Sequence, residues 1–284
     1  MTPSDKNVRT PTIGVFDSGV GGLTVLRALL AKDPAANYLY LGDTARLPYG
    51  SKSQETVARY AVSSAHFLVG QGAEALVIAC NTASALALDA LRAAVDVPVI
   101  GVIETGATAA LQSSGTGDVM VMATAATVES QAYTSACRER GLRAIEKACP
   151  LLVPLVEEGW IDHPVTREVA GIYLDDLLQQ ADAGGLDADT LVLGCTHYPL
   201  LREVIATTLH ARGRKTSVRV IDSAEVTSEQ VGLRLGIRPR IGTDRSHEPS
   251  VRFYATDSVT KFRALGTRFL GRTINDVTHI DLGG

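Results

Sequence analysis

The chain has 284 residues, 45% of them hydrophobic, with 27 Lys and Arg against 31 Asp and Glu and a net charge of −4. That is enough apolar sequence for one large domain or two modest ones, and the lack of any basic stripe argues against nucleic acid as a partner. No apolar run approaches the ~20 residues that cross a bilayer, and the opening MTPSDKNVRTPT lacks the apolar stretch of a signal peptide, so the expectation is a soluble, cytoplasmic protein with reduced thiols and no membrane contact.

In chain order, TIGVF (12–16) reads as a strand and LTVLRALLAK (23–32) as the helix after it. NYLYLG (37–42) is a second strand. Residues 53–72 carry apolar side chains at helical spacing, with Ser53 as a cap and Gly70 and Gly72 as stops. EALVIA (74–79) is a fully apolar strand, 84–95 a helix and VPVIGV (97–102) a strand. The second half repeats the habit: strands at DVMVMA (118–123) and TLVLG (190–194), and helices near 130–140, 164–181 and 200–211. The tail adds VRVID (218–222), VRFYAT (251–256) and a last helix near 258–269. Apolar strands alternating with helices predict an α/β fold with mostly parallel sheets covered on both faces.

A weak internal repeat sharpens this. LVIACNT (76–82) aligns with LVLGCTH (191–197), and IGVFDSGVGG (13–22) parallels VMVMATAATV (119–128). Two similar α/β units would then face each other, each presenting a cysteine, Cys80 or Cys195, at a strand end, where ligands bind in such sheets. A thiolate on one side of a carbon and a thiol on the other suit inversion at that carbon. Both cysteines precede predicted helix starts, whose N–H groups lower a thiol pKa and receive a carboxylate. Asn81, Thr82 and Thr196 add hydrogen-bonding groups beside them. The chain has four cysteines and no CxxC pair, so a zinc site or disulfide framework is the weaker reading, and Cys137 and Cys149 read as small core residues.

Other features admit two readings each. His197 either activates Cys195, which also suits a thiol hydrolase, or is a metal ligand, although no second ligand cluster completes a metal site. FDSGVGG (16–22) lacks the spacing of phosphate-cradling loops. It is a Gly-rich turn with an Asp cap, or it places Asp17 and Ser18 in the cleft, with Asp17 relaying a proton to Cys80. In GDTARLPYG (42–50), the plain reading pairs Arg46 with Asp43 and makes Pro48-Tyr49-Gly50 an ordinary turn.

FDSGVGGLTVL (16–26), YLGDTARLPYG (40–50), ACNTAS (79–84), VPLVEEG (153–159), GCTHYPLL (194–201), IDSA (221–224) and FYATDSVTKFRALGTRFLG (253–271) together resemble the glutamate racemases of the cofactor-independent aspartate/glutamate racemase superfamily. The resemblance covers nearly the whole chain. It implies two pseudo-symmetric α/β domains, 1–103 plus 219–284 carrying Cys80 and 104–218 carrying Cys195, with the site in the cleft between them. It implies that Cys80 deprotonates D-glutamate and Cys195 L-glutamate, Asp17 assisting the first and His197 the second. Ser18, Pro48, Tyr49, Gly50, Asn81, Thr82, Thr124, Thr127 and Thr196 match positions lining the substrate, and Glu157 an acidic residue on the Cys195 side. ATAAT (123–127) departs at Ala123, where many relatives carry glycine. The family supplies D-glutamate for peptidoglycan and is commonly homodimeric. Neither Lys32 nor Lys52 has a pyridoxal-phosphate context, so no cofactor is expected, and no metal. Catalysis then rests on positioning, desolvation and electrostatic stabilisation of carbanion charge.

Overall fold

The computed structural model describes residues 10–32, 36–212, 217–235 and 249–283. Most of the N-terminal stretch read above for targeting lies outside them.

The first half alternates β1 (Thr12–Asp17), α1 (Leu23–Lys32), β2 (Asn37–Gly42), α2 (Gln54–Gly70), β3 (Ala75–Ile78), α3 (Asn81–Leu86), α4 (Leu88–Ala94), β4 (Val99–Gly101) and α5 (Val102–Ser113). The second continues with β5 (Asp118–Ala123), α6 (Ala125–Glu129), α7 (Ala132–Arg138), β6 (Arg143–Ala148), α8 (Leu152–Glu157), α9 (Pro164–Ala183), β7 (Thr190–Gly194), α10 (Arg202–His210) and β8 (Arg219–Asp222). The chain ends in α11 (Ala224–Leu235), β9 (Val251–Ala255), α12 (Val259–Leu270) and β10 (Val277–His279). Six strands form one sheet in the order β10-β9-β2-β1-β3-β4, and four form another in the order β6-β5-β7-β8. Every pairing is parallel, with β1 against β2 and β3 in the first sheet and β5 against β6 and β7 in the second. The expected architecture of two parallel, helix-covered sheets is therefore present.

The apolar strands form as they read because both their faces are covered. Ile13, Val15, Val77 and Ile100 are fully buried in a core that runs on through α1 and α12 to Leu191 and Leu193 of the second sheet. Leu39, Leu76 and Ile78 fill the other face of the first sheet, and Val119, Val121 and Val192 that of the second. Each such side chain contributes roughly 1.5–3 kcal/mol on burial. Ser53 caps α2 as expected, accepting from Thr56 N–H at 3.4 Å.

Several elements differ from the expectation. The helix read at 84–95 is two helices, broken at Ala87 (φ −127°, ψ −1°), and it begins at Asn81. The helix near 130–140 is present as α7, but a short α6 that was not expected precedes it, the two separated by a left-handed backbone turn at Gln131 (φ 54°). β6 and β10 are edge strands, the first reading RAIEKA and nowhere fully buried, so they lack the apolar run that marks a central strand. The stretch α5 follows β4 without an intervening residue, which hid its start. β8 starts at Arg219 and pairs with β7, from Thr190↔Arg219 to Leu193↔Asp222. A boundary at 218/219 therefore does not coincide with the change of sheet, which comes after β8. Among the described residues, no helix is long and apolar enough to cross a membrane.

Candidate active site

In the first half, the ends of β1 and β3 lie side by side, since Phe16 pairs with Ile78. Asp17 is 1% exposed; its Oδ2 accepts from Gly19 N–H at 2.9 Å, and its Oδ1 is buried with no partner. Cys80 is the N-cap of α3, its Sγ accepting from Ala83 N–H at 3.4 Å and donating to Ser18 Oγ at 3.5 Å. Burial raises the Asp17 pKa against the opposing charge of His197. Burial, followed by the charge of Asp17, pushes the Cys80 thiol up to about 12, although Ser18 and the Ala83 and Ser18 N–H groups pull the other way. The helix N-terminus thus does not lower this thiol as the sequence suggested: desolvation outweighs it, and Cys80 is a neutral thiol at neutral pH.

The other half has a different character. Cys195 ends the β7 segment but precedes a 3-10 turn (Tyr198–Leu201), not an α-helix, which starts only at Arg202. His197 Nδ1 lies 4.0 Å from Cys195 Sγ and 3.5 Å from Thr196 Oγ1, and its Nε2 lies 3.1 Å from Glu157 Oε1. Burial alone would push the His197 pKa down; hydrogen bonding to Cys195 and Glu157 reverses this and raises it to about 10. Its hydrogen bond in turn lowers the Glu157 pKa, against the effect of burial. His197 is therefore an imidazolium beside the Cys195 sulfur.

Several hydrogen bonds bring the halves together. Thr24 Oγ1 donates to the Thr196 carbonyl at 3.2 Å. Tyr133 OH donates to Asn81 Oδ1 at 2.7 Å, which occupies that amide's acceptor. Thr82 Oγ1 and Thr124 Oγ1 are 3.0 Å apart, and Thr124 Oγ1 is 2.9 Å from Thr127 Oγ1, so three hydroxyls run across the junction. Asn81 and Cys195 border the same small void, with Thr24 and Thr196. The Pro48-Tyr49-Gly50 segment comes up beside them: a Cβ on Gly50 would stand 3.3 Å from Thr124 Cβ. This segment is more than a plain turn. Asp43, fully buried, accepts from Arg46 Nε at 2.9 Å, from Thr256 Oγ1 at 2.9 Å and from Tyr49 OH, while the Leu47–Pro48 peptide is cis. Arg46 pairs with Asp43 as the plain reading had it.

The residues singled out in the sequence thus fall into two clusters that meet: Asp17, Ser18, Cys80, Asn81 and Thr82 from the first half, with the Pro48-Tyr49-Gly50 segment beside them, and Thr124, Thr127, Glu157, Cys195, Thr196 and His197 from the second. Tyr133, Thr24 and the α12 side chains near His197 were not foreseen. The room for the Tyr133 ring is made by Gly106 and Gly194, where a Cβ would stand 2.9 Å from it, a relation with no local signature in sequence. Cys137 and Cys149 are buried in the core as expected.

The His197–Glu157 pair carries a stability prediction. A histidine pKa raised from its ordinary 6.5 to about 10 stabilises the fold fully below pH 6.5, and the contribution disappears as pH rises through about 10. The lowered Glu157 pKa adds stability that is present above its ordinary 4.5 and lost as pH falls. Thermal unfolding of wild type and Glu157→Gln should therefore differ most between about pH 5 and 6.5, the gap closing by about pH 10. A gap that widened between pH 6.5 and about 10 would contradict the imidazolium assignment.

Two parallel α/β halves meet at their strand ends over thiols, carboxylates and hydroxyls, and the class of the protein, an amino-acid racemase, comes from its similarity to known proteins. The Asp/Glu/hydantoin racemase family model matches residues 23–231, so the chain belongs to that family. A glutamate racemase of Koribacter versatilis is 51% identical, covering 96% of this chain and 98% of its own. Two solved structures align with TM-scores of 0.81. One is a Thermus thermophilus glutamate racemase in complex with β-chloro-D-alanine, 42% identical over 98% of this chain and 99% of that one. The other is a Francisella tularensis glutamate racemase in complex with D-glutamate, 34% identical over 96% and 98%.

Proposed function

We propose that this chain interconverts L- and D-glutamate through two thiols acting on opposite faces of the α-carbon. The observation that carries the reading is the unlike setting of the two strand-end cysteines. Cys80 is a thiol beside Asp17 and Ser18, and Cys195 adjoins an imidazolium held by Glu157. The L-to-D direction starts on the Cys195 side. Cys195 as thiolate, its charge stabilised by His197, takes the α-proton, and the Cys80 thiol delivers its own proton to the opposite face. D-Glutamate leaves behind a Cys195 thiol and a Cys80 thiolate, and the reverse turnover restores the starting state. Between successive L-to-D turnovers Cys80 regains a proton from solvent through Asp17, which is buried with an unpartnered oxygen, and Cys195 releases to solvent the proton it took from the substrate. The donors of Asn81, Thr82, Thr124, Thr127 and Thr196 hold the substrate carboxylate and stabilise carbanion charge as it forms, and Ser18, Pro48, Tyr49 and Gly50 contact the remainder of the substrate.

Glutamate as the substrate rests on the names of the relatives and on the D-glutamate in the Francisella complex. From the family resemblance we further propose that the product serves peptidoglycan synthesis and that the enzyme is a cytoplasmic homodimer. The halves act as two domains, the second extending to the end of β8.

The test is racemisation of L-glutamate in heavy water without added cofactor, followed by polarimetry and proton NMR. D-Glutamate should form with deuterium at Cα while the remaining L-glutamate gains little at early times. Early labelling of the L pool would mean a single base, and no racemisation with an acyl-enzyme trapped at Cys195 would mean a thiol hydrolase.

A further inference from the structure

The Cys195 side is held by a helix from the other half of the molecule. α12 packs with α1 and β10 of the six-stranded sheet, yet three of its side chains converge on Glu157 and His197 of the four-stranded half. Arg268 Nη1 donates to the carbonyls of Val156 and Glu157, each at 3.0 Å. Both lie at the C-terminal end of α8, where the Val156 carbonyl also accepts from Gly159 N–H at 3.0 Å and a cation is favoured by the helix dipole. The guanidinium is seated over Gly159, where a Cβ would stand 2.9 Å from Arg268 Nη2 and where φ is +83°. Phe269, fully buried, meets the His197 ring edge-on, with centroids 5.0 Å apart at 77°. Lys261 contributes a positive potential at Glu157.

The backbone of Glu157 is thereby fixed by one α12 residue while the ring its side chain grips is braced by the next. We propose that Arg268 is a positioning residue for the Cys195 half-reaction: its two hydrogen bonds hold Glu157 where it orients His197, and they do so only while the two halves are docked. Arg268 touches neither sulfur. It acts through Glu157 and His197, so its loss raises the barrier for proton transfer between Cys195 and Cα and leaves the Cys80 transfer untouched.

This rests on the two-thiol reading, and the isotope effect separates the two. Because enantiomers have an equilibrium constant of one, kcat/KM falls equally in both directions for any variant, so rates alone cannot tell which thiol was weakened. The primary deuterium effect can. Arg268→Ala should lose about tenfold in kcat/KM, in line with loss of charged hydrogen bonds. Its isotope effect on kcat/KM should rise with α-deuterated L-glutamate, whose deuteron goes to Cys195, and fall with α-deuterated D-glutamate. Gly159→Ala, which displaces the same guanidinium, should shift the two effects in the same sense, and Arg268→Lys, which keeps one donor, should recover part of the rate and the symmetry. Circular dichroism confirms the fold of each. Isotope effects unchanged from wild type in both folded variants, or shifted toward the D enantiomer, overturn the positioning role. A wild-type enzyme with no isotope effect on either enantiomer and no α-exchange overturns the racemase reading beneath it.

Discussion

Cys80→Ser and Cys195→Ser should each lower racemisation by about a thousandfold or more, within the range of losing an acid–base group outright. An alcohol is far too weak an acid to carry a stable negative charge in these sites, yet it keeps the shape of the thiol. At Cys80 the neighbours are Ser18 Oγ and Ala83 N–H, both of which a hydroxyl can serve, so the fold should be retained. The more telling result is what survives. A one-thiol enzyme can still remove a proton and return solvent deuterium to the same face. Cys80→Ser should wash deuterium into L-glutamate without inverting it, and Cys195→Ser should do so only into D-glutamate. The two residual rates should be unequal. Cys195 keeps the cationic His197 at 4.0 Å, whereas Cys80 stands in a pocket that pushes its pKa up to about 12, so the thiolate is scarce there. Exchange into L-glutamate by Cys80→Ser should therefore be the faster, as α-proton NMR in heavy water will measure. Undiminished racemisation by either variant would remove that cysteine from the mechanism.

How much of this was legible in the sequence depends on whether the signal was local. The buried strands β1, β2, β5 and β7 announce themselves as apolar runs, and the recurrence of strand–Cys–polar at 80 and 195 pointed to two facing units before any geometry was known. The edges were not legible: β6 mixes charged with apolar residues, having a neighbour on only one side, and β10 is three residues long. The charge states were not legible either. A cysteine before a helix suggested a lowered pKa, but the sign at Cys80 is decided by how completely the fold buries it. Contacts across the junction, such as Tyr133 to Asn81 and Arg268 to Val156 and Glu157, join residues 52 or more positions apart, and nothing in either local stretch marks them.

Gly21 shows how such a contact constrains the motif that contains it. FDSGVGG reads as a flexible turn, yet a Cβ at Gly21 would stand 2.2 Å from Thr196 Oγ1 and 2.7 Å from His197 Nδ1. No real contact is that short, so Gly21→Ala must displace either the turn or the Thr196–His197 pair. The turn has little freedom: the Gly21 carbonyl accepts from Thr24 Oγ1 at 2.9 Å, and the same hydroxyl donates to the Thr196 carbonyl. Withdrawing the turn breaks the link that docks the halves; moving His197 swings its Nδ1 away from Cys195. Either way the two thiols lose alignment about the α-carbon, and a displacement of about 1 Å costs on the order of a hundredfold in rate. Gly21→Ala should therefore fall about a hundredfold in kcat/KM while unfolding as a single folded species. Gly70→Ala, where a Cβ meets nothing within 4 Å, should match wild type. The isotope effects of Gly21→Ala separate the two routes: a parted cleft hampers both proton transfers, whereas His197 displacement hampers the Cys195 transfer alone and gives the pattern of Arg268→Ala. Wild-type kcat/KM in Gly21→Ala would mean that the halves do not close on this glycine during turnover.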